Sequence, residues 1–199
     1  MSSVVSRRTA EQVLQAIRKT VMEQVHKSGY ASVTFAGIAR ASGVGKPALY
    51  RRFPDRATMV YDAMFSVLDA FVPPPPTGSL RSDLIAWYAD AQGRGGSVLS
   101  LACYRGVAGE AKPETLALIH ASSERIAGLI GSHVIQPAQR AGELGPNPLS
   151  SAVIYAPIRV LRDQALFDRE EIDLPTFVDE IALPLYRGAS GWVPVTTSN

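Results

Sequence analysis

The apolar residues of this chain recur at intervals of three and four, and no segment alternates apolar and polar residues convincingly at the period of two that a half-buried strand requires. That pattern restricts the fold to packed helices, so the chain reads as all-α. Residues 9–28 place Ala10, Val13, Leu14, Ile17, Val21 and Val25 on one stripe. Thr9, with Gln12 three residues on, has the form of a capping box, and Gly29 stops the helix. Thr34 caps a short second helix in which Phe35, Ile38 and Ala39 turn inward, and Gly43 ends it. Leu49 and Phe53, four apart, give a third short helix its buried face; Gly45 is its cap, and Pro47 stands in its first turn, where a missing backbone donor costs little. Asp55 caps a longer fourth helix with Val60, Met64, Val67, Leu68 and Phe71 along one side.

Pro73-Pro74-Pro75-Pro76 cannot continue a helix and reads as an extended spacer near a domain seam. Beyond it, Leu84, Ile85, Trp87, Tyr88 and Ala91 mark a helix that the glycines of 93–96 interrupt, followed by a shorter one over 98–107. A long helical pattern covers 114–141, with Pro137 kinking its end. Asn147-Pro148 reads as the start of a helix reaching about Phe167, and Asp173 starts the last, with Leu174, Phe177, Val178, Ile181 and Leu185 on one stripe. Residues 189–199, small and polar apart from Trp192, read as a frayed end.

Function classes are narrowed next by charge and by the scarcity of ligating side chains. The single cysteine excludes an internal disulfide, and three histidines far apart offer no zinc site, so neither a metal nor another cofactor is expected. No uncharged apolar run approaches the length of a membrane span and no leader-like segment opens the chain, so a cytoplasmic protein is expected, with no membrane partner. The formal net charge of +2 hides an asymmetry: residues 1–56 hold ten Lys and Arg against three acids, the remainder ten against fifteen. A basic N-terminal unit with an acidic remainder points to nucleic acid at one end only.

Two short helices joined by Ser42-Gly43-Val44-Gly45 form a helix-turn-helix, whose second helix can lie in the major groove of DNA. Burying Leu49 and Phe53 leaves Lys46, Pro47, Ala48, Tyr50 and Arg51 on or near the outer side. Cations meet phosphates there, and Tyr50 with small apolar groups can approach base edges or a thymine methyl. A solvated basic helix on a three-helix core would show the same pattern, so charge and period leave both readings open.

The order of residues goes further. The first helix ends in Lys27-Ser28-Gly29-Tyr30; Val33-Thr34-Phe35-Ala36-Gly37-Ile38-Ala39 and Ser42-Gly43-Val44-Gly45-Lys46-Pro47-Ala48-Leu49-Tyr50 follow, then Phe53-Pro54-Asp55-Arg56. In these features residues 9–64 resemble the DNA-binding domain of the TetR family of transcriptional repressors. The resemblance implies that Thr34, Lys46, Tyr50 and Arg56 contact phosphate, that Phe35, Ala36, Pro47, Ala48 and Arg51 face bases, and that Arg52 does either. Two departures stand out: Gly45 replaces a frequent serine cap, and Ala36 and Gly37 stand where longer polar side chains are common. Readout is therefore expected to rest on the third helix and on DNA shape.

The resemblance further implies a DNA-binding domain over 1–56 and a larger helical domain over 57–199 that binds an effector and pairs two chains, with the helix of 55–71 connecting them. The expected function is repression at a near-palindromic double-stranded operator, bound as a homodimer through the last two helices and released by a hydrophobic small molecule. Aromatics and hydroxyls suggest Met64, Phe65, Leu68, Trp87, Tyr88, Cys103, Tyr104, Ile119 and Ser123 as its lining. Two rival readings remain within regulation: a thiol redox sensor acting through Cys103, and an architectural DNA binder without a ligand. Catalysis is not expected, since no histidine lies near Cys103 in sequence.

Overall fold

A computed structural model describes residues 9–66, 71–95, 98–167 and 172–194, and within them all regular structure is helical. In chain order the helices are α1 (Ala10–Ser28), α2 (Phe35–Ser42), α3 (Lys46–Arg52), α4 (Arg56–Phe65), α5 (Leu80–Gly95), α6 (Val98–Glu110), α7 (Pro113–Ile130), α8 (Gln136–Arg140), α9 (Ser151–Phe167), α10 (Leu174–Phe177) and α11 (Leu183–Ser190). The expected local signals act as read. Thr9 and Gln12 form the reciprocal capping box, Thr34 accepts from Gly37 N, and Asp55 accepts from Thr58 N. Gly29 and Gly43 end α1 and α2 with φ of 76° and 69°, a region that costs residues with a Cβ appreciable strain.

By packing, the chain forms two compact units, Met1–Phe71 with Val98–Ile119 and Val72–Ser97 with His120–Asn199. The first has one core. Leu14, Ile17, Val21 and Val25 of α1 meet Ile38, Leu49 and Phe53, while α4 adds Ala57, Met59, Val60, Tyr61 and Ala63, and α6 adds Cys103 and Val107. This partition differs from a boundary after residue 56, because α4 packs along both α1 and α6. A two-pronged ion pair ties α4 to α1: Arg18 Nε lies 2.9 Å from Asp62 Oδ2, and Arg18 Nη2 lies 3.1 Å from Oδ1.

In the second unit α5 buries Leu80, Leu84, Trp87 and Tyr88, and α10 and α11 bury Phe177, Leu183 and Tyr186. The Tyr88 hydroxyl lies 3.2 Å from that of Tyr186, which donates to Ile154 O at 2.7 Å; burial pushes the Tyr186 phenol up to about 12. Both Glu143 carboxylate oxygens accept from Leu80 N at 3.0 Å, an anion at the positive end of α5.

Several boundaries differ from the sequence expectation, each for a physical reason. Helix α5 continues through Gly93 to Gly95, since the roughly 1 kcal/mol that glycine costs in a helix is readily overridden by context. Helix α9 starts at Ser151, because Asn147 is engaged elsewhere: its N–H donates to Ser190 O and its carbonyl accepts from Gln139 Nε2. The last helical run extends to Ser190, and Trp192 is tied down by an indole bond to Gly142 O at 3.1 Å and by the Arg187 guanidinium over its ring. Helix α4 ends at Phe65, and the part of its expected stripe at Val67 and Leu68 lies outside the described residues. Pro137 acts one residue upstream: Gln136 N–H bonds to Gly131 O, five residues back, and the wide turn Gly131–Ile135 accommodates the missing donor. Pro184 has the same accompaniment, with Leu183 N–H bonded to Val178 O.

Candidate nucleic-acid interface

The geometry around α3 follows from three small-residue positions and two apolar anchors. Ser42 is buried and its hydroxyl donates to Ile38 O at 2.7 Å while accepting from Val44 N at 3.3 Å, so it braces the turn from inside. Sequence reading gave Ser42 only a place in the turn. After Gly43 the chain buries Val44, then Gly45 caps α3 with extended backbone and no side-chain bond. Leu49 is fully buried and Phe53 nearly so, which fixes the rotation of α3 about its axis. The opposite face carries Lys46, Pro47, Tyr50, Arg51 and Arg52, all exposed, with Ala48 half-buried at its edge. Among the described residues no ion pair engages Lys46, Arg51 or Arg52, so their charges face solvent.

From α2, Thr34 and Ala36 are exposed and Phe35 is half-buried. The Thr34 hydroxyl is already an acceptor for Gly37 N at 3.0 Å, which leaves its proton for an outside acceptor. A Cβ on Gly37 would stand 3.0 Å from that hydroxyl oxygen, so the cap accounts for the small residue there. Phe35 and Tyr50 stack, ring centroids 4.4 Å apart and planes within 6°.

Arg56 is placed differently from the other cations. Its guanidinium pairs with Glu110 through Nε and Nη2, donates from Nη1 to Ala31 O at 3.2 Å, and lies over the Tyr30 ring at 4.7 Å from the centroid. The Tyr30 hydroxyl donates to Glu110 Oε2 at 2.8 Å. The hydrogen bond from Arg56 holds the Glu110 carboxyl below its usual range, while burial, then the Glu110 hydrogen bond, raises the Tyr30 phenol. Two further contacts join this corner to the first turn of α4: Lys112 Nζ lies 3.9 Å from Asp55 Oδ2, and the buried hydroxyls of Thr58 and Thr115 are 2.9 Å apart. No sequence signal points to Glu110, which lies 54 residues from Arg56.

An exposed cationic and phenolic face on the second helix of a helix-turn-helix is what a major-groove reader requires. Residues 17–62 match the family model of bacterial regulatory proteins, tetR family. These residues form a domain similar to the DNA-binding domain of the TetR family. Over 77 residues it is 38% identical to the HTH-type transcriptional regulator AqdR of Rhodococcus erythropolis, covering 39% of this chain and 35% of that protein. Over 61 residues it is 33% identical to the HTH-type transcriptional regulator Mb1581 of Mycobacterium bovis, covering 31% and 30%. The chain thus spans about a third of the length of the curated relatives it matches. The crystal structure of the TetR family transcription regulator SCO0332 superposes with a TM-score of 0.65 over 92% of this chain and 99% of the other; at 22% identity the likeness is one of fold. The likeness of fold accordingly extends well beyond the residues that the family model matches. Among the described residues no helix is long and apolar enough to cross a membrane.

The residues expected to line an effector site divide between the units. Met64, Phe65, Tyr104 and Ile119 are half-buried against the core of the first unit, where Cys103 is fully enclosed. Trp87, Tyr88 and Ser123 are buried in the second unit, and Leu68 lies outside the described residues. Burial raises the Cys103 thiol, so it is a poor thiolate inside a closed core; this removes the support for redox sensing through it. An open cleft of about 390 Å³ runs along α9, lined by Arg159, Val160, Arg162, Asp163 and Leu166, none of them in the expected set.

Proposed function

We propose that this regulator is a repressor that binds a near-palindromic operator as a homodimer and is released by a hydrophobic small molecule. The observation that carries the DNA-binding half is the rotation of α3: with Leu49 and Phe53 inward, Lys46, Tyr50, Arg51 and Arg52 all face out. Lys46, Tyr50 and the Thr34 hydroxyl are assigned to phosphates, Arg51 with Pro47 and Ala48 to base edges, Arg52 to either, and Ala36 to the groove wall. Arg56 joins the phosphate set only after leaving Glu110.

One reading head of this size binds weakly, which is why a dimer belongs to the proposal. Its seam is assigned to α9 and the run from α10 to α11, where Val160 and Phe167 remain exposed in the single chain. Two-fold symmetry then sets the half-sites roughly one helical turn, about 34 Å, apart. The effector is assigned to the half-buried set Met64, Phe65, Tyr104 and Ile119 beside α4 and α6. A ligand there lowers operator affinity only by preferring the conformation that does not bind DNA.

Selection from randomised duplexes, followed by titration of selected against scrambled DNA over a salt series, tests the reading. A palindromic consensus bound at least about a thousandfold better than scrambled DNA supports a specific regulator. Equal affinities at moderate salt identify an architectural binder instead. Lys46→Ala and Tyr50→Ala should weaken binding while leaving the dimer intact in analytical ultracentrifugation; dissociation in those variants contradicts the assignment of the two surfaces.

A further inference from the structure

The stacked pair on the DNA-facing side has a role that neither ring has alone. Tyr50 is 60% exposed, and a surface phenol with no neighbour would move among its rotamers. Phe35 prevents this. It is the first residue of α2, half-buried against the core, and its ring lies flat on that of Tyr50 with planes within 6°. One face of the phenol is thereby covered by a ring from a different helix, while the hydroxyl stays free for an outside partner. The turn of 43–45 brings the two residues together from positions fifteen apart in sequence, and the anchors beneath them, Ile38 and Leu49, are both fully buried.

We infer that Phe35 is a positioning residue of the DNA interface: it holds the Tyr50 phenol by stacking, so that the operator meets a side chain already ordered. The inference rests on the DNA-binding reading and assigns Phe35 a role through Tyr50 instead of a base contact of its own. Binding by an exposed aromatic side chain loses affinity to the ordering of its rotamers, and a side chain fixed beforehand avoids that loss. Stacking suits the task because it constrains the ring plane without occupying the hydroxyl.

The test is a double-mutant cycle on selected operator DNA, using Phe35→Leu, Tyr50→Ala and the pair. The expected result is a loss of about threefold to tenfold per reading head for F35L, and no loss for F35L once Tyr50 is already alanine. Phe35→Trp, which keeps a flat partner, should retain affinity; Phe35→Met serves in the cycle should F35L unfold. Aromatic NMR of the free protein gives an independent readout: the Tyr50 ring protons should lose their upfield ring-current shift in F35L while the amide signals of α2 and α3 stay in place. Equal losses from F35L with and without Tyr50, or an unshifted Tyr50 ring in the wild type, would overturn the inference and leave operator binding standing. A wild-type protein that selects no duplex would overturn both.

Discussion

Replacing Gly106 by alanine tests the cluster that backs the reading head. Gly106 lies within α6 and the Tyr30 ring rests on its backbone; an added Cβ would stand 2.5 Å from Tyr30 Cγ and 2.7 Å from Cε1, and would also contact Cδ1. Carbon atoms pack at about 3.5–4.0 Å, so the ring would have to retreat by about 1 Å. Retreat is opposed by the hydroxyl bond to Glu110 and by the Arg56 guanidinium over the ring. Overpacking of this kind costs about 1–3 kcal/mol, and a strained bond to a charged partner adds about 1 kcal/mol more. Against it stands a gain of about 1 kcal/mol, since alanine favours the helix that glycine disfavours. The net is a loss of about 1–3 kcal/mol, which for a chain of this size lowers the thermal midpoint by about 3–10 °C. Far-ultraviolet circular dichroism during heating measures it. The decisive arm is the same substitution in a Tyr30→Ala background, where the space is open and only the helical gain remains, so the effect should reverse sign. A midpoint that rises when G106A is made in the wild type would refute the seating of Tyr30 on α6.

Lys46→Ala should reduce the slope of log affinity against log salt by about 1 while leaving the thermal midpoint unchanged; a lowered midpoint with an unaltered slope would assign Lys46 to the fold. Glu110 has its carboxyl pKa lowered by the hydrogen bond from Arg56, so its stabilising contribution is present above the unfolded carboxylate value of about 4.3 and fades as pH falls through the lower folded value. The stability difference between wild type and Glu110→Gln should therefore be constant from about pH 7 to pH 5 and close below about pH 4; a difference that does not vary with pH would remove the ion pair as its source. Cys103 should resist alkylation in the folded protein and react only on unfolding, as followed by mass spectrometry; rapid labelling of the native protein would reopen redox sensing.

What the sequence disclosed is what short-range chemistry controls. Thr9, Thr34 and Asp55 cap the helices they precede, because a hydroxyl or carboxylate three residues from an unpaired amide has a local partner whatever surrounds it. The inward direction of Leu49 and Phe53 was legible for the same reason, and the outward set of α3 follows from it. Legibility ends where partners are distant. Tyr30, Arg56 and Glu110 meet across separations of 54 and 80 residues, and the presence of Glu110 turns one of the expected phosphate contacts into a side chain with a standing partner. Asn147 shows the same limit from the other side: with Pro148 it has the composition of a helix start, yet bonds to Ser190 and Gln139 hold it outside α9. The aromatics of α5 were ambiguous by nature, since Trp87 and Tyr88 at helical spacing fit a pocket wall and a filled interior equally, and here they are interior.

The core beneath the helix-turn-helix draws on residues separated by a long stretch of chain: Val25 and Ile38 from the first forty, Cys103 and Val107 from beyond the hundredth. A fragment cut at the proline run would therefore carry every side chain assigned here to DNA and still lack part of its own interior, leaving an apolar strip of α4 wet. In this chain the head is not a contiguous cassette: a graft of residues 9–66 would have to bring α6 along, or to rewrite the α4 surface that α6 covers.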